Sequence, residues 1–61
     1  MIEVTKLNGI KVCINEHYIE IIEETPDTVI TMTTGRKIIV KESRQEVRNL
    51  VKSYRKEFCA N

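Results

Sequence analysis

Between Glu24 and Ser43 two turn signals bracket a β-branched run, and a capped helix start follows at once. Thr25-Pro26-Asp27 ends one segment, because Pro26 presets the φ of a turn and Asp27 can hydrogen-bond its own backbone nearby. Thr28 to Thr33 then reads as a strand, Thr34-Gly35 as a hairpin turn with Gly35 free to take positive φ, and Arg36 to Lys41 as the returning strand. These connections are far too short for the crossover that parallel strands need. Whatever this chain folds into must therefore be built on antiparallel pairing.

Upstream, Ile2 to Asn15 reads as two short strands around Asn8-Gly9, a dipeptide suited to both central positions of a type I′ turn. With a two-residue loop, Leu7 faces Ile10 and Thr5 faces Val12, so Leu7, Ile10, Val12 and Ile14 are expected on the core side. The opposite face would hold Ile2, Val4 and Cys13 beside Lys6 and Lys11, which is not cleanly polar. Either a bulge rotates the register or both faces are covered, one of them by another subunit. Asn15-Glu16-His17 reads as a turn, and Tyr18 to Glu24 as a third strand, with a short helix the alternative there.

Ser43 to about Phe58 is the one clear helix. Ser43 and Glu46 form an S-x-x-E capping box, and Val47, Leu50, Val51, Tyr54 and Phe58 repeat at helical spacing as a single apolar stripe. The expected fold is mainly β with one C-terminal helix: a five-stranded antiparallel meander or small barrel with the helix packed on it, in a single domain over residues 1–61, strands within 1–42.

A chain of 61 residues must make do with a thin core. It hides only about 60% of the surface its unfolded form exposes, and such cores seldom supply more than about 3 to 5 kcal/mol without disulfides, a metal or a partner subunit. Cys13 and Cys59 stand at opposite ends with no CxxC and no histidine pair, so a zinc site is disfavoured. No positively charged leader with a long apolar run is visible, which predicts two reduced thiols in a cytoplasmic protein. Self-association into a homo-oligomer is then the expected way to bury more surface. The longest apolar run, Ile38-Ile39-Val40, is a strand fragment and not a bilayer span.

Net charge is only +1, too little for a nucleic-acid polyelectrolyte, but it is unevenly placed. Residues 1–42 carry five basic against seven acidic side chains, or −2, whereas residues 43–61 carry five against two, or +3. Arg44, Arg48, Lys52, Arg55 and Lys56 fall on an arc beside the apolar stripe, giving a basic ridge able to meet an acidic protein, nucleic acid or the anionic membrane leaflet; its bland reading is a solvated helix face. Arg36 and Lys37 at a hairpin tip form a second basic spot without the aromatics a base-stacking platform needs.

Catalytic chemistry finds little to work with. His17 is the sole histidine and sits in a turn beside acidic residues, where an exposed or locally bonded imidazole is the ordinary outcome. Ser43 has a capping task, and Glu20, Glu23 and Glu24 are spaced so that a strand divides them between its faces. Gly9 and Gly35 each precede a strand instead of a helix N-terminus, so they are turn glycines and not a phosphate cradle. The thiols lack the electropositive setting that activates cysteine. No enzymatic activity, cofactor or metal is expected.

Met1-Ile2-Glu3-Val4-Thr5-Lys6-Leu7-Asn8-Gly9, Ile14-Asn15 with Ile19-Glu20 and Ile22-Glu23, Thr25-Pro26-Asp27-Thr28-Val29-Ile30-Thr31, and Gly35 with Val40-Lys41-Glu42-Ser43 closely resemble the FlbD family of small bacterial flagellar proteins, also called the swarming motility protein SwrD family. The resemblance spans nearly the whole chain. It implies a cytoplasmic accessory protein of flagellar motility and swarming that supports motor output through protein contacts, with a flagellar motor or stator protein as partner and peripheral proximity to the membrane. It supplies no catalytic residues, and the candidate contact residues remain Arg44, Arg48, Lys52 and Arg55. From Ile14 to Val47, Ile22-Glu23, Gly35, Val40, Glu42-Ser43 and Glu46-Val47 are also similar to the LytTR DNA-binding domain, which implies a small DNA-binding regulator as the alternative. The minimal loops and short chain rank that alternative second.

Overall fold

The computed structural model describes the backbone of residues 1–59, with side chains described through Ser53. Strands β1 (Ile2–Thr5) and β2 (Lys11–Ile14) form one antiparallel hairpin. A single 3-10 turn (Glu16–Tyr18) leads to β3 (Ile19–Glu24), β4 (Thr28–Met32) and β5 (Lys37–Val40), which form a second, three-stranded antiparallel sheet in chain order. Helix α1 (Arg44–Cys59) closes the described chain. The mainly β architecture with one C-terminal helix is as expected, with the strand and helix boundaries close to those read from the sequence.

The expectation of a single five-stranded meander or a closed barrel is corrected, because the strands form two sheets of 2 and 3. Asn15 caps the 3-10 turn by accepting the His17 amide on its side-chain oxygen at 3.0 Å. This turn separates β3 from β2, so the second and third strands do not pair. The sheets meet instead through β1 and β5, at one antiparallel bridge between Lys6 and Val40. Beyond it the Lys41 amide donates to the Thr5 carbonyl at 2.8 Å, and the Thr5 amide donates to both carboxylate oxygens of Glu42, at 2.8 and 3.0 Å. A side chain thus takes the edge donor that a further strand would otherwise use.

The first hairpin shows why its faces looked mixed. Its register pairs Ile2 with Ile14 and Val4 with Val12, one residue away from the two-residue-loop expectation. The loop is Leu7-Asn8-Gly9: the Gly9 amide donates to the Lys6 carbonyl and the Lys6 amide to the Ile10 carbonyl, both at 2.9 Å, with Gly9 at φ +90°. That is a three-residue turn whose glycine makes a bulge. A one-residue slip exchanges the faces of a strand pair. Ile2, Val4 and Ile14 are buried and Val12 packs against them, whereas the expected core residues Leu7 and Ile10 are exposed. The bulge therefore accounts for the pattern.

The second hairpin repeats the device. The Gly35 amide donates to the Met32 carbonyl and the Met32 amide to the Arg36 carbonyl, both at 2.8 Å, with Gly35 at φ +91°. Each turn adds a side-chain brace two residues back: Asn8 Oδ1 accepts the Ile10 amide at 2.9 Å, and Thr34 Oγ1 accepts the Arg36 amide at 3.5 Å. Between β3 and β4, the Thr25 amide donates to the Asp27 carbonyl across Pro26 at 3.2 Å.

The core lies between the two sheets under the helix. Ile2, Val4, Ile14, Ile30, Ile38, Val40 and Val47 are buried, with Ile19, Ile22, Leu50 and Val51 packed against them. Val47, Leu50 and Val51 thus bear out the inner stripe, while the side chains of Tyr54 and Phe58 lie outside the described residues. The capping box forms reciprocally, the Ser43 amide donating to Glu46 Oε1 at 2.9 Å and the Glu46 amide to Ser43 Oγ at 3.1 Å. Cys13 is a free, exposed thiol, and the side chain of Cys59 lies outside the described residues.

Nothing stands within 4 Å of a Cβ built on Gly9 or Gly35, so substitution there is opposed by backbone conformation alone. Gly9→Ala and Gly35→Ala are each expected to cost about 1 to 2 kcal/mol. Asparagine, which tolerates positive φ, should cost less at both positions. Urea midpoints that failed to separate Ala from Asn would contradict this account of the turns.

Candidate binding surface

The helix is positioned by its first turn. Besides the capping box, the Arg44 amide donates to Glu24 Oε1 at the end of β3, at 3.0 Å, so one carboxylate ties the helix start to the larger sheet and complements its positive end. With the start fixed and Val47 fully buried, helical geometry sets which side chains border the core on either side.

On one flank stand Arg44, Arg48 and Lys52, four residues apart and all exposed. None of the three takes part in an ion pair among the described residues. The structure thus brings three of the four expected contact residues into one row; the side chain of Arg55, like that of Lys56, lies outside the described residues. Arg48 and Lys52 form the rim of a shallow cleft of about 220 Å³ whose floor includes Ile19, Ile22, Val51 and Glu16. The opposite flank is anionic: Glu46 lines a cleft of about 320 Å³ with Glu3, Glu42, Asn49, Leu50 and Ser53. The helix divides cationic from anionic surface on either side of one apolar seam.

The second basic spot, Arg36 and Lys37, lines a cleft of about 540 Å³ shared with Lys6, Leu7, Asn8 and Ile39. It lies between the first hairpin and β5. Sequence reading located the tip but not the cleft, because the cleft exists only where the two sheets diverge beyond their single bridge.

Glu16 is the residue whose role the sequence concealed. It is buried, with Oε1 2.9 Å from the Met1 ammonium and Oε2 3.6 Å from Nε2 of His17. Hydrogen bonding from the ammonium draws its pKa below the usual 4.5, against the opposing push of burial, with its own amide and the charges of the ammonium and His17 adding to the decrease. No local pattern marks it, since the contact arises from the 3-10 turn folding back beneath the start of β1. His17 itself is exposed, as expected. For Glu42, partial burial pushes the carboxyl up, but the Thr5 amide bonded to both oxygens outweighs this and the net shift is down.

Among the described residues no group of three or more His, Cys, Asp or Glu is placed to hold a metal ion. Nor is any described helix long and apolar enough to cross a membrane. What the surface offers is charge on a rigid support. A family model, FlbD, described as flagellar and swarming motility proteins, matches residues 1–59. The chain belongs to this family. No curated protein and no solved structure matches it. Nothing in these comparisons supports the LytTR-like alternative. Several segments that resemble the FlbD pattern are structural here: Leu7-Asn8-Gly9 makes the first bulged turn, Thr25-Pro26-Asp27 the β3–β4 connection, and Glu42-Ser43 the sheet junction and helix cap.

Both shifted carboxyls sit lower in the folded chain than in the unfolded one, so acid protonates the unfolded form first. Their stabilisation should be complete above about pH 4.5 and lost as pH falls through the folded values. Glu42→Gln should lower stability at neutral pH and flatten part of that acid slope. Urea midpoints taken from pH 7 down to 3 would measure both, and equal slopes in the two proteins would refute the assignment for Glu42.

Proposed function

We propose that this FlbD-family chain is a non-enzymatic cytoplasmic accessory factor of flagellar motility and swarming, supporting motor output by binding a flagellar motor or stator protein. Its family supports the motility setting. The observation that carries the binding mode is the row Arg44, Arg48 and Lys52, three exposed cations with no ion-pair partner among the described residues, held on a helix whose start is pinned by four hydrogen bonds. Long cationic side chains on a fixed support favour an acidic partner surface, speeding encounter and setting register more than adding raw affinity. To Arg55, three residues beyond Lys52 in the sequence, we assign the same role.

A non-enzymatic reading is supported by what the potential catalytic groups are doing. Ser43 Oγ accepts the Glu46 amide, Glu16 is engaged by the Met1 ammonium, and His17 is exposed on the surface. None of these stands as a nucleophile beside an oriented base.

Deleting the gene should impair swimming or swarming, and the wild-type chain should restore it. Arg44→Glu/Arg48→Glu/Lys52→Glu should accumulate as folded protein yet fail to restore motility, and should lose the crosslinked partner that the wild-type chain captures from motile cells. Unchanged motility on deletion would overturn the motility role. Full rescue by the triple reversal would remove the helix row from it.

A further inference from the structure

The face of the three-stranded sheet turned away from the helix carries a pattern that the motility reading does not use. Register sets two rows across it: Glu23, Val29 and Ile39 in one, Ile21, Thr31 and Lys37 in the other. The alternating residues Ile22, Ile30 and Ile38 point into the core. Of the outward set, Ile21 is 47% exposed and Ile39 44%, large apolar side chains standing in water on a rigid sheet. Glu23 and Lys37 occupy opposite corners and neither has an ion-pair partner among the described residues. The two isoleucines occupy the other two corners.

We propose that this face is a twofold interface with a second copy of the chain. The reason is the charge arrangement. Strands about 4.8 Å apart and alternate residues about 6.8 Å apart put Glu23, Ile39, Lys37 and Ile21 at the corners of a rectangle of about 9.6 by 6.8 Å. A twofold axis lying in the interface, along the diagonal from Ile21 to Ile39, brings Glu23 of each copy to within about 4 Å, in the plane of the interface, of Lys37 of the other, an offset that these long side chains span. The same axis sets each isoleucine against its own counterpart, with Val29 and Thr31 between. Axes along or across the strands would instead set both charges over isoleucines. The diagonal axis crosses the strands of the two copies at about 70°, closer to the orthogonal than to the aligned way in which sheets pack face to face. One patch that is complementary to itself in both charge and apolar surface is what an isologous dimer requires. It also meets the need of a thin 61-residue core for further apolar burial.

The inference does not depend on the motility reading, and its test uses purified protein only. In sedimentation velocity over a micromolar concentration series, the wild-type chain should associate reversibly as a dimer. Glu23→Lys and Lys37→Glu should each weaken association by about tenfold or more, because like charges then face one another at both corners. Mixing the two single variants should restore dimers, since each then offers the charges the other needs, and the double swap Glu23→Lys/Lys37→Glu should dimerise alone. Far-UV circular dichroism of these surface variants checks that the fold is retained. Ile39→Lys, which leaves both corner charges in place, should also give monomer. A monomeric wild-type chain, unaltered association in the reversals, or failure of the mixed variants to pair would each overturn the proposal.

Discussion

The fold depends on how the two small sheets are held together at one corner. Neither is self-sufficient: two short strands are marginal alone, and the three-stranded sheet has an apolar face to cover. Their link is the Lys6–Val40 bridge, extended by the Lys41 amide on Thr5 and by the Glu42 carboxylate on the Thr5 amide. Because a carboxylate and not a backbone carbonyl takes that last donor, regular pairing ends there and the chain is released into the helix within two residues. The same group that joins the sheets therefore also fixes where α1 begins.

From that corner the helix runs over the gap between the sheets, and Val47 closes the core against residues of both. Surface charge follows as a consequence of geometry. Once one seam of a helix is committed to the core, the remaining positions divide into two flanks, and here the sequence places Arg44, Arg48 and Lys52 on one and Glu46 on the other. Glu3 and Glu42 extend the anionic side from the adjoining strand and linker. A protein with net charge of only +1 thereby presents two strongly different surfaces, a distinction that composition averages away.

Antiparallel pairing, the capped helix and its inner stripe were legible because each rests on interactions among residues close in sequence. A glycine can take positive φ wherever it sits in the chain, and Ser43 and Glu46 reach each other within one helical turn. The basic row was legible for the same reason, since helical period alone aligns Arg44, Arg48 and Lys52. The hairpin register was not. Asn8-Gly9 suits both a two-residue turn and the second half of a three-residue turn, and local preference scarcely separates them. Burial separates them, because only the bulged register puts Ile2, Val4, Val12 and Ile14 on one face and leaves Glu3, Thr5, Lys11 and Cys13 on the other.

By itself the sequence determined the kinds of element, their order, the places where the chain turns and the charge carried by the helix, all of them effects with a range of a few residues. Tertiary structure alone decided that β1 joins β5, that Leu7 and Ile10 face water, that Glu16 is buried beneath the start of the chain, and that Glu23 and Lys37 sit at opposite corners of one face. These are contacts between segments distant in the chain. Their geometry is set by how the apolar faces of all the elements can be covered at once, a condition that no single segment contains.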